Sequence, residues 1–324
     1  MIRDMTRWLR YGLVAALLIG AVNAFAAPFP SKPLTIVVPY GPGGAGDLTA
    51  RVFAKEFTKM YKVPVVVLNR PGPGFVNSAT LVAHADPDGY TAFLSGNGMI
   101  LSSLLFKSLA YKMSQFKNVS TLAFFDLVLL VNKGSPFKTV HQVLAWAKAH
   151  PDRLTIATVS AGSTQNLAAH MFESLGHIKA QIIPFTSTAE VLTALRGNQV
   201  QAAFEIMPPV FGQIQAGALK ALAVTSSQRF AGLPDVPTMS QAGLRGFEAT
   251  SWSGVSLPAR TPDAIVERLS NDMAVVLAKP AVQRAMRKLG AVASSTTPAE
   301  MDVRVRDDTA KWSRVIDEAH IPRH

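Results

Sequence analysis

The sequence contains no cysteine. That excludes disulfides, cysteine nucleophiles, thiolate metal sites and a lipid anchor built on an N-terminal cysteine. Histidine is sparse, and the seven present (His84, His141, His150, His170, His177, His320 and His324) show no metal-ligand spacing. There is no H-E-x-x-H, no G-x-S-x-G elbow and no Gly-Lys-Ser/Thr after a glycine turn, so no zincin, serine-hydrolase or P-loop signature is present. No convergent set of acid, base and nucleophile can be assembled, and neither a metal nor a cofactor is expected. Acidic residues are in deficit: 21 Asp and Glu against 32 Lys and Arg give a formal charge of +11. This balance favours anionic ligands. The basic residues are scattered, without a Lys/Arg block or interleaved aromatics, so nucleic acid is not an expected partner.

What is present begins with a leader. Arg3, Arg7 and Arg10 precede the uncharged run YGLVAALLIGAVNAFA, and Ala24-Phe25-Ala26 supplies small residues at the −3 and −1 positions of a signal-peptidase site. Asn23, Pro28 and Pro30 interrupt the uncharged stretch, leaving an apolar core shorter than the ~20 residues of a membrane span. Residues 1–26 are therefore expected to be a signal peptide, cleaved near Ala26, and the remainder a soluble protein of the periplasm.

Past the leader, short apolar runs alternate with helix-period segments. Strands are expected over 34–38, 65–68, 91–94, 127–131, 154–158, 181–183, 200–204, 221–224 and 253–257. Helices are expected over 48–61, 77–85, 140–150, 164–175, 188–196, 261–277 and 298–319. Near-continuous apolar strands separated by helices indicate an α/β fold with parallel sheet covered on both faces. Two segments read as crossovers, NKGSPFKTV after Val131 and GFEATSWSG around Ser253. They divide the chain into a first lobe, 27–131 plus 252–324, and a second, 132–251, facing each other across a cleft. That is the organisation of a hinge-closing binding protein with a mainly parallel sheet in each lobe.

The first strand leads into VVPYGPGGAGDL, where Gly41, Gly43 and Gly46 fit the dinucleotide fingerprint G-x-G-x-x-G. Several features oppose that use. Pro39 and Tyr40 separate the strand from the first glycine, Pro42 lies inside the turn, and the next strand ends at Asn69-Arg70 without an acidic ribose ligand. Asp47 is expected to cap the helix, competing with a pyrophosphate for its free amides. Export also separates the chain from cytoplasmic NAD(P)H. The remaining alternatives are a ligand-free tight turn and an anion nest in which Gly43, Gly44 and Ala45 expose backbone N–H groups. A second strand–turn–helix, with Ser160, Ala161, Gly162, Ser163 and Thr164, repeats the arrangement and favours the nest. Glu205, closing the apolar run VQAAFE, either receives an amine or hydroxyl at the cleft or pairs with an arginine.

These segments resemble the tripartite tricarboxylate transporter receptors, the Bug family of periplasmic solute-binding proteins. The resemblance runs from about Pro30 to Ile321 and is carried by PSKPLTIVVPYGPGGAGDLTAR, VPVVVLNRPGPG, ADPDGYT, SWSGVSLPARTP and, most specifically, GALKALAVTSSQRFAGLPDVPTMSQAGLRGFE. It implies two Venus-flytrap lobes clamping a small organic carboxylate for uptake, without catalysis. Membrane transporter subunits are then the implied partners; a ligand-sensing receptor acting on a sensor kinase is the alternative, and an exported enzyme is the reading from another class. The implied ligand residues are Tyr40, Gly43, Gly44, Ala45, Asp47 and Asn97 in the first lobe and Ser160, Ala161, Gly162, Ser163 and Thr164 in the second. The sequence departs from the family at Phe75, where glycine is customary, at Thr186 and Ser187, where Lys and Gly are usual, and at Glu205 and Met207. Phe185, Thr186, Glu205 and Met207 are accordingly expected to meet the distal part of the ligand, with Phe185 and Met207 favouring an apolar body. The receptor is expected to be a monomer.

Overall fold

The computed structural model describes residues 29–160 and 162–318, together with Ile321 and Arg323. The expected leader, Ala161, His320 and His324 lie outside the described residues. In chain order the elements are β1 (Leu34–Val38), α1 (Ala45–Tyr61), β2 (Val65–Asn69), α2 (Val76–Ala83), β3 (Thr91–Gly96), α3 (Asn97–Leu105), β4 (Phe116–Asn132), α4 (Val140–Ala149), β5 (Leu154–Val159), α5 (Thr164–Gly176), β6 (Ala180–Phe185), α6 (Thr188–Arg196), β7 (Ala202–Ile206), α7 (Met207–Gln215), β8 (Leu219–Val224), β9 (Thr250–Pro258), α8 (Asp263–Leu277), α9 (Pro280–Lys288), β10 (Ala291–Ala293) and α10 (Pro298–Glu318).

Every strand and helix read from the sequence is present, β1 and α6 with the expected bounds and the others with shifted ends. Four elements were not legible there: α3, α7, α9 and β10. Helix α3 opens on Asn-Gly and is buried on nearly every side, its polar residues included, so it shows no amphipathic periodicity. Helix α7 begins Met-Pro-Pro, which reads as a break, although proline is tolerated in the first turn, where the missing N–H has no intrahelical partner.

Strands pair in the order β2-β1-β3-β9-β4-β7-β5-β6, with β8 and β10 also on β4. Each lobe has a parallel trio, β2-β1-β3 in one and β6-β5-β7 in the other; the strands joining them run antiparallel. Strand β4 belongs to both sheets. Its residues Phe116–Asp126 pair with β9, and from Leu127 to Asn132 it pairs with β7 and β8. The chain returns where β9 begins, at Thr250 opposite Asp126. Beside this point Thr225 donates its N–H to the Leu127 carbonyl at 3.0 Å and accepts the Leu127 N–H at 3.2 Å.

One apolar core, with Phe53, Phe57, Leu94 and Leu257, fills the first lobe. A second gathers Phe172, Phe204 and Phe247 of the other lobe with Leu101 and Leu105 of α3 and Trp312 and Ile316 of α10. Helices α3 and α10 thus bury apolar faces against the opposite lobe, each large side chain contributing about 1.5–3 kcal/mol.

Candidate functional site

Strand register brings the candidate residues together. Val38 of β1 is level with Asn69 of β2, and β3 runs on to Gly96 beside them. In the other lobe Val159 of β5 is level with Phe185 of β6, and β7 ends at Glu205 and Ile206. The segments 39–47, 70–75, 96–98, 160–164, 186–188 and 205–207 are therefore all at carboxyl ends of parallel strands, where ligands of open α/β sheets bind.

The two turns share one internal geometry. Gly43, at φ +81°, donates its N–H to Asp47 Oδ2 at 2.9 Å. Gly162, at φ +80°, donates to Asn166 Oδ1 at 3.5 Å, again four residues on. Each turn places a glycine in the left-handed region and a reach-back side chain at the third helical position. The acid in the first turn is itself held: Asp47 accepts from Asn69 Nδ2 at 2.9 Å and from Arg51 Nε at 3.0 Å, and Asn69 also donates to the Tyr40 carbonyl at 2.9 Å. Burial opposes ionisation of Asp47, but Arg51, the Gly43 N–H and Asn69 outweigh it and hold the carboxyl below the usual aspartate range.

Asp47 is therefore not the expected helix cap. The cap residue of α1 is Gly44, which offers no side-chain acceptor, and Asp47 reaches past it to Gly43. The first intrahelical bond runs from Leu48 N to Gly44 O, so Ala45, Gly46 and Asp47 retain free N–H groups at a positive helix end. The second turn keeps fewer. Ser163 caps α5 by accepting from Asn166 N at 3.1 Å, and Leu167 N bonds Ser163 O, which leaves the N–H groups of Thr164 and Gln165 without a partner among the described residues. Ser160, at φ +36°, ties the turn to β6 through a 2.8 Å bond from its N–H to the Phe185 carbonyl.

Glycine at 46 is a packing requirement, since an added Cβ would lie 2.7 Å from Tyr40 Cδ2. The Tyr40 hydroxyl reaches the start of α3, 3.0 Å from where a Cβ of Gly98 would be, and the Phe75 ring stands T-shaped on Tyr40 at 5.2 Å. Burial raises the Tyr40 pKa, so the hydroxyl stays neutral. Phe75 sits at φ +63°, a left-handed conformation that suits the family's customary glycine.

Several of the other expected ligand residues already have partners within the fold. Asn97 is fully buried: its amide donates to Thr164 Oγ1 at 3.1 Å, and its carbonyl accepts from Trp312 Nε1 at 2.9 Å. Asn97 and Thr164 thus join the lobes directly. Thr186 faces Glu190, donating its hydroxyl at 2.6 Å and its N–H at 3.1 Å. Phe185 is half-buried against the second-lobe core. Met207 is fully buried, with its Cγ 2.7 Å from where a Cβ of Gly290 would lie, so it packs between lobes. Glu205 is fully buried with no arginine or lysine partner among the described residues. Sequence reading missed Arg51, Asn69, Gln165, Asn166 and Trp312. The repeated spacing of Gly43 with Asp47 and Gly162 with Asn166 was the available signal for the two reach-back side chains.

A family model described as tripartite tricarboxylate transporter family receptor matches residues 49–321. Protein BugT of Bordetella pertussis is 31% identical over 319 residues, covering 97% of this chain and 98% of BugT. Among solved structures, R. palustris Rpa4515 with adipate aligns at a TM-score of 0.87 and 29% identity, over 91% of this chain and 99% of that one. The periplasmic binding protein BugD aligns at 0.85 and 28% identity, over 91% and 100%. MatC from Rhodopseudomonas palustris with bound malate aligns at 0.82 and 30% identity, over 89% and 100%.

Proposed function

The chain belongs to the tripartite tricarboxylate transporter receptor family, and from that premise we propose that it captures a small organic carboxylate between its lobes in the periplasm and presents it to a transporter of the tripartite tricarboxylate type. The observation that carries this is the uncapped first turn of α1. Gly44 offers no side chain to the free amides of Ala45, Gly46 and Asp47, which suits an incoming carboxylate. The turn at Ser160–Thr164 closes from the other lobe with the amides of Thr164 and Gln165, and Tyr40 supplies a neutral hydroxyl. Rpa4515 with adipate and MatC with malate support the ligand class. The lobes are taken to divide within β4 and at the start of β9, and residues 1–26 to be removed on export.

Thermal-shift screening of the purified protein against mono- and dicarboxylates tests the proposal. A true ligand at a hundred times its Kd adds about 2.7 kcal/mol of stability, and NMR of the supernatant should recover it unaltered. Chemical conversion of the bound acid would refute simple capture, and a chain recovered intact from Met1 in the membrane fraction would refute export with cleavage.

A further inference from the structure

Glu205 is fully buried at the end of β7. Its Oε2 accepts the Ile206 N–H at 3.1 Å and, more distantly, Gln165 Nε2 at 3.4 Å. Its Oε1 has no hydrogen-bond partner among the described residues. The Thr188 side chain, opening α6, lies beside the carboxyl and favours its ionised form. The acid is thus set at the cleft edge of the second sheet, between the first turns of α5 and α6. A buried acceptor left open is rare because it has given up water without a replacement.

We propose that Glu205 Oε1 receives a hydrogen-bond donor on the far end of the bound acid, so that this receptor selects carboxylates carrying a distal ammonium or hydroxyl over dicarboxylates of equal length. The inference rests on the reading that the paired turns hold the ligand's carboxylate. Above about pH 7, where the buried acid is ionised, Glu205 in a site that loses water on closure repels a second carboxylate and attracts a donor. Burial pushes its pKa up to about 7, which an arriving ammonium would reverse by stabilising the anion. Gln165 links this end to the other, because its backbone N–H is one of the two free amides of the second turn while its side chain touches Glu205.

Calorimetry with two matched series provides the test: butanoate, 4-hydroxybutanoate, 4-aminobutanoate and succinate, then hexanoate, 6-hydroxyhexanoate, 6-aminohexanoate and adipate. In at least one series the hydroxy or amino acid should bind wild type about tenfold or more tighter than the dicarboxylate. E205Q, which keeps shape and an acceptor for Ile206 N–H, should reduce that ratio to about threefold or less. The wild-type ranking stands as a test independent of how the variant folds. If a dicarboxylate leads both series on wild type, or E205Q leaves the ratio unchanged while carboxylates bind, the role of Glu205 is wrong and carboxylate capture stands. If no acid of either series binds wild type, capture of simple carboxylates fails and the selectivity inference falls with it.

Discussion

Trp312 donates its indole N–H to the side-chain carbonyl of Asn97 at 2.9 Å, joining the last helix to the first turn of α3 across 215 positions. The other end of the same amide donates to Thr164 in the opposite lobe. One buried side chain therefore connects α10, α3 and the second glycine turn. Trp312→Phe keeps most of the apolar volume but leaves the Asn97 carbonyl without its donor. The expected loss is about 1–3 kcal/mol in urea unfolding, with weaker ligand binding because the contact between lobes is loosened.

The glycine turns give a graded test. Gly43→Ala forces a side chain into φ +81° and should cost about 1–2 kcal/mol, while breaking the geometry that presents the free amides. Gly44→Ala should be milder in the fold, since its backbone is extended at φ −72° and a Cβ there meets nothing closer than 3.5 Å. Calorimetry should rank binding as wild type, then Gly44→Ala, then Gly43→Ala.

Phe75 offsets strain against packing. Its φ of +63° costs a bulky residue energy that its ring recovers on Tyr40 and Gly98. Phe75→Gly should consequently lose under about 2 kcal/mol in chemical denaturation, where truncating a buried phenylalanine ordinarily costs about 3–5 kcal/mol. The same variant removes a ring that stands on Tyr40 and should widen the range of acids bound.

Stability should depend on pH through two acids of opposite sign. Glu205 is raised from 4.5 to about 7, so the native protein holds a proton that the unfolded chain releases. Its stabilising contribution is complete below pH 4.5 and is lost as pH rises through about 7. Asp47 lies below its ordinary value of 3.8, so its contribution is present above that pH and is lost as the solution is acidified further. Urea midpoints measured from pH 4.5 to 8 should fall with pH in wild type and flatten in E205Q. An unchanged slope in E205Q would remove Glu205 as its source.

Much of the fold was legible because the inner strands β1, β3, β5 and β7 are largely buried on both faces and so read as apolar runs. Of the three helices without a sequence signal, α3 has no periodicity, and α7 and α9 carry proline in their first turn. The site was legible as backbone and less so as side chains. Glycine and small residues at 43–45 and 162–163 announce the two turns, since few other residues fit there. Asn97, Thr164 and Met207 fall at the cleft edge in sequence order, but their contacts depend on the opposite lobe, whose approach no local pattern encodes. The arrangement around Asp47 likewise joins residues from α1 and β2, and a cap and a reach-back clasp look the same in one dimension.

The central claim is that backbone amides of the two turns hold the carboxylate. Titration of ¹⁵N-labelled protein with a carboxylate identified by thermal shift examines those amides one by one. The resonances of Ala45, Gly46 and Asp47 should move downfield in proton shift as the acid binds, with those of Thr164 and Gln165 following in the same titration. Saturable binding that leaves all five unmoved while other amides shift would place the ligand elsewhere and contradict the claim.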